Sequence, residues 1–194
     1  MRNSWLSIKK TNIWVFLFLG TLILLLIVSG FTESETKPTP LDLSEVETLS
    51  KVDMGWYTLE RVVDGDTVIV NSLEGRERVR LIGIDTPELA RQNRPEECYA
   101  QEATNRLQEI LSQNSQLRLW SDPTQDEYDR FGRLLAYITI EDGVNVNELL
   151  VREGYAREFT YENPYLLQEV FIEAEQEAQD NGLGLWSACV NSAF

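Results

Sequence analysis

VVDGDTVIV, residues 62–70, and RVRLIGIDTPE, residues 78–88, are separated by a short polar connection. Both runs are rich in β-branched residues and bounded by Gly, Asp or Pro, the pattern of strands. Asp64-Gly65-Asp66 reads as a turn or bulge between strands over 57–63 and 67–70. Gly65 gives the backbone freedom for a sharp turn there. Glu74-Gly75 marks a hairpin turn, and 76–84 reads as a longer strand in which Arg78 and Arg80 alternate with apolar positions. Paired as neighbours, the two runs place Asp64, Asp66, Arg80, Asp85 and Glu88 on one rigid sheet. Several carboxylates with an arginine suit a metal-assisted attack on a phosphate ester.

Working outward, residues 99–111 predict an amphipathic helix with Ala100, Ala103, Leu107, Ile110 and Leu111 on one face. Short strands follow over 117–120 and 133–140. Asn145 caps a helix that runs to about 153, and Gly154 ends it. A last helix is expected over 165–180, after which Leu185, Trp186 and Cys189 pack the tail back. Three strands, a helix, two strands and two helices predict an α+β domain: a five-stranded OB-fold (Greek-key) β-barrel with three helices.

Towards the N-terminus, Arg2, Lys9 and Lys10 precede an uncharged apolar run over 11–32. At about 1.5 Å per residue such a run spans a hydrocarbon core of about 30 Å. Positive charge before it and Glu33 and Glu35 after it predict an N-terminus in the cytoplasm and an exported remainder. Residues 1–32 are therefore expected to be a transmembrane signal anchor or a cleaved signal peptide. Residues 33–55, with Pro38 and Pro40, read as a polar linker with a short helix over 41–51, and 56–194 as the folded domain. The domain is expected outside the cell, either held at the cell membrane or secreted.

Composition narrows the chemistry. The chain has no histidine, which removes every mechanism built on an imidazole base or a His-ligated metal. Two cysteines, Cys98 and Cys189, are too few for a zinc site. In an exported domain they are expected to form a disulfide, the alternative being two buried thiols. The net charge of −15 argues against purely electrostatic binding to nucleic acid. Beyond Lys51 every cationic side chain is an arginine, the residue that grips phosphate with a planar fork. Oxygen ligands of the Asp66 and Asp85 type suit a hard cation such as calcium. Thr86, which precedes Pro87, is biased to an extended backbone that can aim its carbonyl at the same ion.

DGDT (residues 64–67), RLIGIDTPE (80–88), DRFGRLLAYI (129–138) and VNELLVREGYA (146–156) occur in that order. Together they resemble the thermonuclease family, the staphylococcal or micrococcal nuclease type, over about residues 57–187. The resemblance implies a calcium-dependent extracellular nuclease that hydrolyses phosphodiester bonds of DNA and RNA and leaves 3′-phosphate ends. It implies Asp66, Asp85 and the Thr86 carbonyl as calcium ligands, with Asp64 in the outer shell. It implies Glu88 as the residue that orients or deprotonates the attacking water, and Arg80 and Arg133 as phosphate-binding arginines. Phe131 and Tyr161, among the aromatics Tyr128, Phe131, Tyr155, Tyr161 and Tyr165, are candidates for stacking on bases. Phe131 stands where the family commonly has tyrosine, so it offers a ring but no hydroxyl. A rival reading is a non-catalytic OB-fold module that binds nucleic acid or protein at the cell surface. Another is a glycosidase-type carboxylate pair, which leaves both arginines without a task.

Overall fold

The computed structural model describes residues 50–112, 116–141 and 143–190. The expected anchor or signal segment, and all of the expected linker and its short helix up to residue 49, lie outside the described residues. Among the described residues no helix is long and apolar enough to cross a membrane.

Five strands close a barrel: β1 (Val52–Asp64), β2 (Thr67–Asn71), β3 (Arg76–Leu81), β5 (Gln116–Ser121) and β6 (Leu134–Thr139), in the order β1-β2-β3-β6-β5. β5 returns to pair antiparallel with β1, while β3 and β6 run parallel. This is the expected Greek-key barrel. The helices are α1 (Ala100–Ser112), α2 (Val146–Arg152), α3 (Gln168–Asp180) and a single turn, α4 (Leu185–Ala188).

The packing follows the sequence periods. Val68, Val70, Val79 and Leu81 are buried in the core that Leu117, Leu119, Leu134, Ala136 and Ile138 complete. α1 buries Ala100, Ala103, Thr104, Leu107, Ile110 and Leu111, the i, i+3, i+4, i+7 stripe of an amphipathic helix. Truncating one such buried leucine to alanine costs about 2–5 kcal/mol. At α2, the Asn145 side chain accepts the N–H of Glu148 as expected. Asn147, fully buried, accepts the N–H of Ile138 at 3.1 Å and donates to the carbonyls of Ile82 at 2.9 Å and Ala136 at 3.2 Å. It thereby ties the helix to the ends of two strands. Cys98 and Cys189 form a disulfide that joins the entry of α1 to the tail.

Four boundaries differ from expectation. β1 begins at Val52, inside the stretch read as linker, because residues 52–58 pair with β5. The strand expected over 76–84 ends at Leu81. Gly83 has φ of 78°, and a Cβ there would sit 2.6 Å from the Tyr165 ring, so the chain turns sharply beneath that ring. Ile84–Asp85 then forms a separate short strand, β4, which pairs with Arg157–Glu158, β7. The last helix starts at Gln168, not at residue 165. Tyr165 is instead held by its hydroxyl, which donates toward the Gly83 carbonyl at 3.2 Å and the Glu158 carboxylate at 3.0 Å.

Candidate active site

β2, β3 and β4 bring the acidic residues of the two opening runs together. Arg80 sits on β3 opposite Thr67 of β2. Its Nη2 lies 3.2 Å from Asp66 Oδ2 and 3.2 Å from Asp85 Oδ1. Nη1 donates to the Leu81 carbonyl at 3.0 Å, which fixes the fork. One guanidinium nitrogen thus stands between two carboxylates, one from the β1–β2 turn and one from β4. Asp66 is 7% exposed and its charge is well satisfied. Oδ2 also accepts from the backbone N–H of Thr86 at 3.3 Å and its hydroxyl at 3.2 Å, and Oδ1 accepts from the Thr67 hydroxyl at 3.0 Å.

Gly65 has a different reason from the one its sequence suggests. Its φ is not in the left-handed region. A Cβ at this position would lie 2.7 Å from Thr86 Oγ1 and 3.0 Å from the Ala103 Cβ. Glycine is required because the backbone passes between Thr86 and α1. That close approach lets Thr86 reach Asp66.

Burial pushes the Asp64 carboxyl well above the usual carboxylate range, and the charge of Asp66 pushes it further. Burial likewise raises Asp85; the Arg80 guanidinium opposes this, while Asp66 and Glu88 add to it. Such oxygen-only donors fit a hard divalent cation, whose charge favours the ionised carboxylates and whose shell water can complete. Among the described residues no three carboxylates converge on one point to hold a metal ion. Asp66 and Asp85, which share one Arg80 nitrogen, are the carboxylate pair such a cation would meet. Asp64 stands behind them, with its Oδ1 toward the N–H of Asp66 at 3.4 Å.

Glu88 opens a loop that folds back on itself. Its carboxylate pairs with Arg91 at 2.7 Å, and the same arginine nitrogen lies 3.9 Å from Asp64. Arg91 and Arg94 exchange backbone hydrogen bonds at 2.9 and 3.0 Å. Arg94 pairs with Glu97. At the base of the loop, the Glu88 N–H donates to Glu97 Oε2 at 2.9 Å.

Arg133 approaches from the far side, at the foot of β6. Its Nε donates to Asp129 Oδ2 at 2.6 Å, and Asp129 Oδ1 accepts the N–H groups of Phe131 and Arg133 at 2.8 and 2.9 Å. Burial raises the Asp129 carboxyl, but these hydrogen bonds and the Arg133 charge outweigh it and hold the group below its usual value. The rest of the Arg133 guanidinium is directed over the Phe131 ring at 5.5 Å.

Asp64, Asp66, Arg80, Asp85, Glu88 and Arg133 all line one open cleft of about 600 Å³. Phe131 and Tyr161 line it too and are strongly exposed, at 68% and 60%. Of the other aromatic candidates, Tyr128 and the almost fully buried Tyr165 line the cleft, and Tyr155 packs on Tyr99 at 5.5 Å. Three cleft residues were not foreseen. Arg91 grips Glu88, Arg130 lies 4.8 Å over Phe131 and 5.8 Å over Tyr161, and Phe159 flanks Tyr161. The signal for Arg91 was the three-residue spacing of Glu88, Arg91, Arg94 and Glu97.

Residues 78–188 match the family model described as staphylococcal nuclease homologue. The chain belongs to the staphylococcal nuclease family. The match takes in Arg80, Asp85, Thr86, Glu88 and Arg133, while Asp64 and Asp66 lie just before it. The chain is 37% identical to a thermonuclease of Staphylococcus hyicus over 139 residues, covering 72% of this chain and 80% of that one. It is 38% identical to a thermonuclease of Staphylococcus intermedius over 130 residues, 67% of this chain and 75% of that one. An SPbeta prophage-derived endonuclease, YokF, of Bacillus subtilis is 39% identical over 131 residues, 67% of this chain and 43% of that one. In this member of the staphylococcal nuclease family, six of the expected site residues, Asp64, Asp66, Arg80, Asp85, Thr86 and Glu88, come from one run of chain, and Arg133 from just before β6 on the other side of the cleft.

Proposed function

We propose that this chain is a calcium-dependent nuclease that hydrolyses phosphodiester bonds of DNA and RNA and leaves 3′-phosphate ends. The observation that carries the reading is Arg80 Nη2, which meets Asp66 and Asp85 at 3.2 Å each in the cleft that Glu88 and Arg133 also line. A cation-binding acid pair, a base candidate and two guanidinium groups around one cavity suit hydrolysis of a phosphate diester. They serve a purely binding module poorly.

Asp66, Asp85 and the Thr86 carbonyl would hold the calcium ion, with Asp64 behind them. When bound, the ion neutralises phosphate charge and makes nearby water more acidic. Glu88 takes the proton as water attacks phosphorus. Arg80 and Arg133 hold the non-bridging oxygens, whose charge grows in the five-coordinate transition state. The bond to the 5′ oxygen breaks, that oxygen takes up a proton from solvent to leave as the alcohol, and the phosphate stays on the 3′ side. Glu88 must leave Arg91 for this step, and Arg80 must turn part of its fork from carboxylate to phosphate. Phe131 and Tyr161 offer exposed faces on which bases stack.

The uncharged run over 11–32 and the Cys98–Cys189 disulfide support an extracytoplasmic site of action, as a membrane-anchored or a secreted enzyme. Single-stranded DNA and RNA incubated with the purified chain test the reading through the ends they acquire. Calcium-dependent products with 3′-phosphate ends support it, and 5′-phosphate ends or no products overturn it.

A further inference from the structure

An acidic protein that cuts a polyanion has to hold the strand somewhere other than by its net charge. Half of the twelve arginines among the described residues are already committed elsewhere. Arg76, Arg91, Arg94, Arg106, Arg118 and Arg152 are each engaged with a carboxylate. Arg61 and Arg78 are exposed and have no carboxylate within ion-pair distance among the described residues. The glutamate next to Arg61, Glu60, is committed to Arg76 through two hydrogen bonds at 2.9 and 3.0 Å.

These two charges flank β2, about 9–10 Å apart across it. Ile69 of β2 pairs with Arg61 of β1 on one side and with Arg78 of β3 on the other. Residues opposite one another in a sheet share a face. Arg78 also precedes Arg80 by two positions on β3, so both project from that same face, about 6.6 Å apart along the strand. Glu77, between the pair and Arg76, falls on the opposite face. Ile69 itself is only 4% exposed. The result is an arginine row that begins at Arg80 in the cleft and continues through Arg78 to Arg61 outside it. Its steps are about 6.6 Å along β3 from Arg80 to Arg78 and about 9–10 Å across β2 from Arg78 to Arg61.

We infer that Arg78 and Arg61 form a phosphate-binding extension of the cleft, which holds the backbone of a single-stranded polynucleotide on the outer face of β1–β3 next to the bond being cut. This rests on the nuclease reading. Guanidinium forks suit successive phosphates, and contacts of this kind position a strand without reading its bases. The extension therefore serves chain length and not sequence.

The test uses the full chain and an Arg61→Gln/Arg78→Gln double variant, which keeps most of each side-chain stem over Ile69. Unchanged thermal unfolding confirms that the fold is intact. Affinity is measured in calcium by fluorescence anisotropy with a nuclease-resistant phosphorothioate strand of about 20 nucleotides. Cleavage is measured on the ordinary strand and on a dinucleotide. The double variant is expected to bind the long strand about tenfold more weakly, and its slope of log affinity against log salt falls by about 0.7 for each arginine. KM on the long strand rises in step, while kcat and dinucleotide cleavage stay unchanged. Unchanged affinity and slope, no binding by the native chain, or an equal loss on the dinucleotide would overturn the inference. If the native chain binds but cleaves neither substrate, the nuclease reading fails, and the affinity comparison still decides the arginine row.

Discussion

Glu97 and Glu88 clamp each other through the backbone. The Glu88 N–H donates to Glu97 Oε2 at 2.9 Å, and the Glu97 N–H donates to the Glu88 carbonyl at 3.0 Å. Glu97 thereby sets the position from which the Glu88 carboxylate enters the cleft. Glu97→Ala is expected to lower kcat by about 10- to 100-fold, because misplacement of a reacting group by about 1 Å costs that much. KM should change little. Steady-state kinetics on single-stranded DNA check this; a rise in KM at constant kcat would place Glu97 in substrate binding instead.

The residue after Glu97 is Cys98, bonded to Cys189. The disulfide closes a loop with a sequence separation of 91 and anchors the base of the Glu88 loop to the tail. Replacing both cysteines with serine is expected to cost about 2–4 kcal/mol of stability. A reductant should produce the same drop in Tm in the native chain and none in the variant. Equal melting of oxidised and reduced native protein would contradict this.

Gly65→Ala forces a Cβ against Thr86 Oγ1 at 2.7 Å. Because Thr86 anchors Asp66, the strain reaches the acid pair. Destabilisation of about 1–3 kcal/mol is expected from overpacking. The rise in Tm that calcium gives the native chain should shrink in the variant, since only ion binding to the folded state produces that rise. Calorimetry with and without calcium reads both quantities, and a full calcium response in the variant would separate Gly65 from the site.

Asp129 provides a pH prediction. Its folded value lies below the ordinary carboxylate value of about 3.9, so the unfolded chain binds its proton first as pH falls. Its stabilising contribution is therefore present above about pH 4 and is lost as pH falls through the lower folded value. Asp129→Asn should flatten the acid limb of stability against pH below about pH 4. Parallel acid limbs in variant and native chain would show that Asp129 adds nothing there.

Much of this architecture is legible in the sequence because it is periodic. The alternation of Val68, Val70, Val79 and Leu81 sets the barrel face, and Ala100, Ala103, Leu107 and Leu111 set the α1 stripe. The break after Leu81 is not legible, since Ile82 and Ile84 continue the apolar pattern. What ends β3 is the Tyr165 ring over Gly83, a contact across 82 residues. β4 and β7 are two residues each, too short to carry a period. Asp66 and Arg80 are legible together because the β2–β3 pairing sets Thr67 opposite Arg80, while the approach of Asp85 depends on the turn at Gly83. The grip of Arg91 on Glu88 arises in an irregular loop, where charge spacing is the only local signal. The pairing of Arg133 with Asp129 coexists with a place in the cleft, because it engages Nε of the guanidinium.

Arg80 between Asp66 and Asp85 is the centre of the proposed chemistry. The most direct test is the initial rate of single-stranded DNA cleavage by the purified full chain in calcium, set beside the rate of Arg80→Ala and the native rate in excess EGTA. The account predicts cleavage by the native chain, a fall of at least about 100-fold in Arg80→Ala, and background rates in EGTA. An undiminished rate in Arg80→Ala, or no cleavage by the folded native chain in calcium, would contradict it.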